Sequence, residues 1–186
     1  MIELSDLRFG YRAAQPVLSG FSLTIPDGAR ICLSAPSGSG KTTLLRLLAG
    51  LEKPQAGSIS GLSGLSLSMV FQEDRLLPHK TVLQNVALFS NDSRAAALLT
   101  ELGLGSSLDC LPEELSGGMK RRAALARALA HPFDLLLLDE PFTGLDDDSK
   151  AVCLQAVRRE IEGRTLVLST HTPAEAEALG AEIILL

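Results

Sequence analysis

The residues best suited to chemistry in this sequence stand in one loop, Ala35-Pro36-Ser37-Gly38-Ser39-Gly40-Lys41-Thr42. It lies between an apolar run, Arg30-Ile31-Cys32-Leu33-Ser34, and a leucine-rich segment from Thr43 to Ala49. A glycine-rich turn lets successive backbone N–H groups converge on a polyphosphate, a lysine adds a mobile positive charge, and a threonine hydroxyl can ligate Mg²⁺. A helix that starts here turns its positive end to the same point. The stretch reads as a phosphate cradle. It departs once from the pattern G-x-x-x-x-G-K-[ST], because Ala35 stands where that pattern opens with glycine. If the loop needs a positive φ there, alanine costs about 1 kcal/mol or more. If glycine only allows close packing, the added methyl is a small perturbation. The amides expected to wrap a phosphate belong to residues 37 to 43, beyond Ala35, so binding is expected to survive.

Other residues are candidates by type and position. Asp134-Leu135-Leu136-Leu137-Leu138-Asp139-Glu140-Pro141 is an apolar run ending in two acids, the pattern of a central parallel strand whose carboxyl end opens onto a site. Taken alone the acids fit a solvated turn as well as metal and base chemistry; beside a phosphate cradle they favour the latter. His171 follows a further strand, Arg164 to Thr170, and is either structural or placed at the same edge. Leu115-Ser116-Gly117-Gly118 precedes an alanine-rich helix and forms a second possible anion site at a helix N-terminus. Lys120, Arg121 and Arg122 in that first turn oppose the helix dipole, and a solvated basic face is the competing reading. Tyr11, the only tyrosine, and Val17 fit packing or a ligand role.

The elements that position these residues follow from periodicity. Short apolar alternation marks strands at 2–8 and 21–25, Pro26-Asp27-Gly28 is a turn, and residues 30–34 form the strand entering the cradle. The segment from Thr43 is apolar on nearly every face, which predicts a buried helix stopped at Gly50. Residues 53–66 read as turns around one short strand, and Leu67 to Phe71 as a strand ending at Gln72. From 73 to 131 strand signals vanish and helical patterns appear at 81–89, 93–102 and 119–130, the last stopped by His131-Pro132. Asp146, Asp147 and Asp148 favour a helix start, with Cys153, Leu154, Val157 and Ile161 along one face. A short helix at 173–179 and a strand at 181–186 complete a three-layer α/β fold with a largely parallel sheet.

Composition narrows the class. A chain of 186 residues with 46% hydrophobic content is expected to be one domain with a substantial core. No run approaches the ~18 apolar residues of a membrane span, and the start lacks a signal core. A cytosolic protein is expected. A net charge of −5 argues against non-specific nucleic-acid binding. Cys32, Cys110 and Cys153 are widely spaced, which suggests free thiols rather than a disulfide framework or a zinc site.

Taken in order, these motifs resemble those of the ATP-binding cassette (ABC) ATPases along essentially the whole chain. The resemblance implies a P-loop NTPase core (residues 1–72 and 132–186) with an N-terminal antiparallel β subdomain. A helical subdomain, residues 73–131, carries the signature motif. Residues 35–42 and Thr43 would hold ATP, with Tyr11 stacking on adenine and Val17 beside it. The glutamine loop would centre on Gln72, and the signature would be Leu115-Ser116-Gly117-Gly118-Met119. Asp139 and Glu140 would be the second Walker acids, Gly144-Leu145-Asp146 the D-loop, and His171 the switch histidine. By the same resemblance Lys41 cradles the β- and γ-phosphates, Thr42, Gln72 and Asp139 hold Mg²⁺, Glu140 is the general base, and His171 and Gln72 order the γ-phosphate and water.

Two such subunits pack head to tail, so the signature of one completes the ATP site of the other. Leu51-Glu52-Lys53-Pro54, the run Val70-Phe71-Gln72-Glu73-Asp74-Arg75-Leu76-Leu77-Pro78 and Met119 in the signature resemble ATPases of nitrate, sulfonate and taurine-type importers. That branch implies membrane permease partners, an extracytoplasmic solute-binding protein and a peripheral place on the inner face of the cell membrane. Many importer ATPases continue beyond the point where this chain stops at Leu186, so a C-terminal regulatory extension is expected to be missing. The alternatives are the ATPase of an efflux or lipid-extracting complex, a soluble ABC protein of translation or DNA repair, and an inactive partner in a heterodimer.

Overall fold

The computed structural model of the chain describes residues 1–12 and 15–186. Strands β1 (Ile2–Phe9) and β2 (Leu18–Ile25) form an antiparallel pair, β3 (Arg30–Ser34) enters the glycine loop, and α1 (Lys41–Leu48) leaves it. β4 (Ala56–Ser60) returns to pair with β1, and β5 (Leu67–Val70) ends just before Gln72. Next come α2 (Val82–Val86), continued by a 3₁₀ turn to Phe89, α3 (Asp92–Glu101) and α4 (Gly117–Ala130). β6 (Leu135–Asp139), α5 (Asp147–Glu160), β7 (Thr165–Ser169), α6 (Pro173–Leu179) and β8 (Glu182–Leu185) finish the fold.

Two sheets result: an antiparallel one of order β2-β1-β4, and a five-stranded one of order β5-β6-β7-β3-β8 in which every neighbouring pair is parallel. Every residue of β6 and β7 is buried, as a parallel sheet covered on both faces requires. The strand pleat divides their side chains. Cys32, Leu136, Leu138, Leu166 and Leu168 pack with α4, α5 and α6, whereas Ile31, Leu33, Leu135, Leu137 and Val167 pack with α1 and the antiparallel sheet. At about 1.5–3 kcal/mol for each fully buried large aliphatic side chain, this double burial pins the central strands and the loops at their ends. Cys32 and Cys153 are buried free thiols, and burial pushes the Cys153 thiol up to about 12.

Three element starts differ from the periodicity by two residues or more. α1 begins at Lys41 rather than Thr43, because Gly40 takes φ +104° and caps the helix, leaving Lys41 and Thr42 already helical. α4 begins at Gly117 rather than Met119, because the Ser116 hydroxyl accepts the Met119 N–H at 3.3 Å. β2 begins at Leu18, which is buried and pairs with Phe9. Between Gln72 and α2 the chain has no regular structure, and buried Asn85 pins it. Its Oδ1 accepts the Leu77 N–H at 2.7 Å, and its Nδ2 donates to the carbonyls of Leu77, Lys80 and Thr81.

Candidate functional site

β3, β5, β6 and β7 all end at one edge of the parallel sheet, where loops after parallel strands gather ligand-binding groups. A cleft of about 370 Å³ opens there, lined by Tyr11, Val17, Ser37, Gly38, Gly40, Lys41, Thr42, Thr43, Gln72, Glu140 and His171. Gly38 and Gly40 take φ +81° and +104°, and a Cβ at Gly40 would stand 2.8 Å from Val17 Cγ1. Glycine is therefore required at position 40. Ala35 lies outside the left-handed region, so its methyl carries none of that strain. Lys41 is buried and spans the loop's rim, donating from Nζ to Ala35 O at 2.7 Å and Pro36 O at 3.2 Å. Ser39 lines an adjoining cleft with Tyr11 and Val17, and its hydroxyl is buried without a partner among the described residues. Tyr11 is 56% exposed at the rim; its ring meets Phe9 edge-to-face at 5.1 Å, and its hydroxyl accepts from Arg46 at 3.4 Å.

The strand ends supply the acids. Asp139 is buried; its Oδ1 accepts the Ser169 hydroxyl at 2.7 Å, while Oδ2 has no partner among the described residues. Asp139, Thr42 and Gln72 line a cavity of about 50 Å³ beside the cleft. An unpartnered carboxylate oxygen with a hydroxyl and an amide nearby is a hard-oxygen donor set that suits a small divalent cation. Glu140 sits at φ +49°, a left-handed backbone that costs a non-glycine residue about 1–2 kcal/mol. Its N–H is held by Ser169, by the carbonyl at 3.1 Å and the hydroxyl at 3.2 Å. That backbone aims the carboxylate into the cleft. Glu140 Oε1 lies 2.7 Å from His171 Nε2, and Oε2 accepts the Thr143 hydroxyl at 3.3 Å. The His171 segment is anchored from behind: Thr170 donates to buried Glu175, which also faces Lys150 Nζ at 3.5 Å.

The second anion-site candidate stands apart from this cleft. Ser116 caps α4, and Ser116 and Gly117 are exposed, while Leu115 is buried and Met119 packs partly into the same core. A Cβ at Gly117 would meet nothing within 4 Å, and one at Gly118 would meet Gly144 O and Leu145 at 3.6 Å. The Ser116 turn thus lies beside the Gly144-Leu145-Asp146 turn. Asp146 caps α5 by accepting the Ser149 N–H at 2.8 Å and hydroxyl at 2.9 Å, and the backbone bond, then the hydroxyl, holds its carboxyl below the usual range. The arginines after the signature are not a solvated face. Arg121 is buried against Phe71 and Gln72, and Arg122 donates to Leu102 O at 2.7 Å.

The family described as ABC transporter matches residues 18–143, more than half of the chain. An aliphatic sulfonates import ATP-binding protein of Rhodococcus jostii is 46% identical, over 100% of this chain and 78% of that protein. One of Pseudomonas syringae pv. syringae is 41% identical, over 99% of this chain and 81% of that one. The chain belongs to the ABC transporter ATPase family. The solved dimeric, post-hydrolysis state of an ATP-binding cassette bound to ADP and Pi superposes on this ABC ATPase with a TM-score of 0.90 at 29% identity, covering 100% of this chain and 94% of the other. As a member it is an ATP-binding, ATP-hydrolysing transporter subunit. Among the described residues, no helix of this ABC ATPase is long and apolar enough to cross a membrane.

Three contributors to the ABC ATPase site escaped the sequence reading. Ser169 contacts both acids, Glu175 braces the histidine segment, and Arg121 holds the glutamine segment. Only Ser169 left a local signal, a hydroxyl directly after the apolar run Leu166-Val167-Leu168.

Proposed function

We propose that this chain powers import through membrane permease subunits, as one of two ATPase subunits closing head to tail on ATP. The identity of 46% and 41% to two proteins named for aliphatic sulfonate import carries the reading, and the solute we propose is an organic sulfonate or a related small oxyanion. In this reading residues 1–72 and 132–186 form the ATP-binding core, and 73–131 the part that faces the permease at the inner face of the membrane. A solute-binding protein delivers the solute from outside.

The geometry supports the following site roles. Tyr11 and Val17 flank the base, and the amides of residues 37–43 wrap the phosphates. Lys41 exchanges its two loop carbonyls for β- and γ-phosphate oxygens. Thr42, Gln72 and Asp139 would hold Mg²⁺, which neutralises charge on the phosphates. Glu140, oriented by Ser169 and within 2.7 Å of His171, accepts the proton of the attacking water. His171 and Gln72 place the γ-phosphate and the water. Ser116, Gly117 and Gly118 present amides at the start of α4 to the ATP of the second subunit, next to Asp146. Leu115 and Met119 anchor that turn in the core.

The test is reconstitution of the chain with its permease in vesicles supplied with ATP. Uptake of an alkanesulfonate that stops with Glu140→Gln supports the reading; ATP turnover with solute moved only outward overturns import.

A further inference from the structure

α4 carries more than the Ser116 turn. Five positions on, Arg121 is 8% exposed, and all three guanidinium nitrogens face the segment that holds Gln72. Nη1 donates to Phe71 O at 2.8 Å, Nη2 donates to Gln72 O, and Nε lies 3.3 Å from Asp74 Oδ1. Further along the helix, Arg127 donates to Asp74 O at 3.0 Å and Arg75 O at 2.8 Å. Residues 71–81 lie outside the strands and helices, so the carbonyls of this segment have no ladder and need donors from elsewhere. A guanidinium is a planar fork with donors in fixed directions. One fork gripping two successive carbonyls fixes the orientation of the peptide between them, and with it the direction in which the Gln72 side chain enters the cleft.

The Ser116 cap and Arg121 are about 7–8 Å apart along one continuous helix, at 1.5 Å per residue. A hydrogen-bonded helix transmits a tilt or shift at one end with little loss over that length. We propose that Arg121 is a positioning residue that couples the two ATP sites of the dimer: when the Ser116 end of α4 engages the partner's ATP, Arg121 carries the movement to Gln72 in its own cleft. This rests on the roles proposed above for Gln72 and for the start of α4.

The test uses the full chain and five forms: parent, Arg121→Lys, Arg121→Gln, and Gln72→Ala with and without Arg121→Lys. Lysine keeps charge toward Asp74 but loses the fork; glutamine keeps an amide donor and loses the charge. Both variants are expected to bind ATP with unchanged KM, while kcat falls about ten- to a hundredfold, the cost of small misplacement. The Hill coefficient for ATP falls from about 2 toward about 1. On a Gln72→Ala background Arg121→Lys should cost little more, because both act through one group. Parental kcat and Hill coefficient in Arg121→Lys overturn the proposal, as does additive loss in the double variant. If one variant fails to fold, the other carries the same readings. Should Gln72→Ala itself leave kcat unchanged, the role of Gln72 is wrong; a slow Gln72→Ala beside a parental Arg121→Lys refutes the coupling alone.

Discussion

α1 and α4 both begin at a glycine-bearing turn, yet the two turns answer to different neighbours. At the start of α1 the chain itself demands glycine: Gly40 sits at φ +104°, and a Cβ there would press on Val17. The lysine and threonine of the helix start itself, a glutamine after β5, two acids at the end of β6 and a histidine after β7 gather there, so this site is assembled within one chain. At the start of α4 nothing among the described residues demands Gly117. Its Cβ position is open, and the serine before it already caps the helix. The first turn is preorganised by the sheet. The second is a bare donor array whose small residues leave room for something outside the subunit.

Substitutions can break or sharpen that contrast. The largest effect is expected from Glu140→Gln, which removes the proposed base while keeping its size; turnover should fall about 10²–10⁴-fold with ATP still bound, measured by phosphate release. Undiminished release would remove Glu140 from the mechanism. Gly117→Asp should come next. An acid in the first turn of a helix is stabilising by about 0.3–1 kcal/mol, so the melting temperature should hold or rise. ATP binding by the single subunit should be unchanged, yet turnover should drop about 10²–10³-fold through lost donation and repulsion of the partner's phosphate. A parental rate in that variant would mean that α4 does not serve a second site.

Smaller effects probe the inner site. Ser169→Ala leaves both Asp139 oxygens without a protein donor and loosens the strained backbone of Glu140. A stability loss of about 1–3 kcal/mol by denaturant titration is expected, with slower turnover. An unchanged unfolding midpoint would show that Ser169 does not support the acids. The smallest change belongs to Ala35→Gly. Because Ala35 has no left-handed φ to relieve, ATP affinity should stay within about threefold, and stability should drop by about 0.4–1 kcal/mol from the freer unfolded chain. A gain of tenfold or more in affinity would place the methyl against the nucleotide.

Legibility followed the range of the interactions involved. The cradle, the apolar strand before Asp139 and the helical stretch from 73 to 131 are local patterns, and the structure has them with boundaries shifted by a few residues. The pairing of β4 with β1, by contrast, separates that strand from the parallel sheet, and nothing within residues 56–60 announces it. The three basic residues after the signature could be read as a solvated face because each side chain alone suits water. The carbonyls that bury Arg121 lie 49 and 50 positions earlier in the chain.

By itself the sequence determined which groups could meet a nucleotide. Glycine where φ must be positive, lysine and threonine at a helix start, acids and a histidine after apolar strands are each dictated by chain geometry over a few residues. Only the tertiary structure decided how those groups are aimed. Glu140 points into the cleft because Ser169, from the neighbouring strand, holds its left-handed backbone; Asp139 keeps one oxygen unpartnered because Ser169 takes the other. The backbone carbonyl of Gln72 is held by an arginine on α4. Such aims depend on hydrogen bonds between elements far apart in the chain, and those form only once the parallel sheet brings the strand ends together.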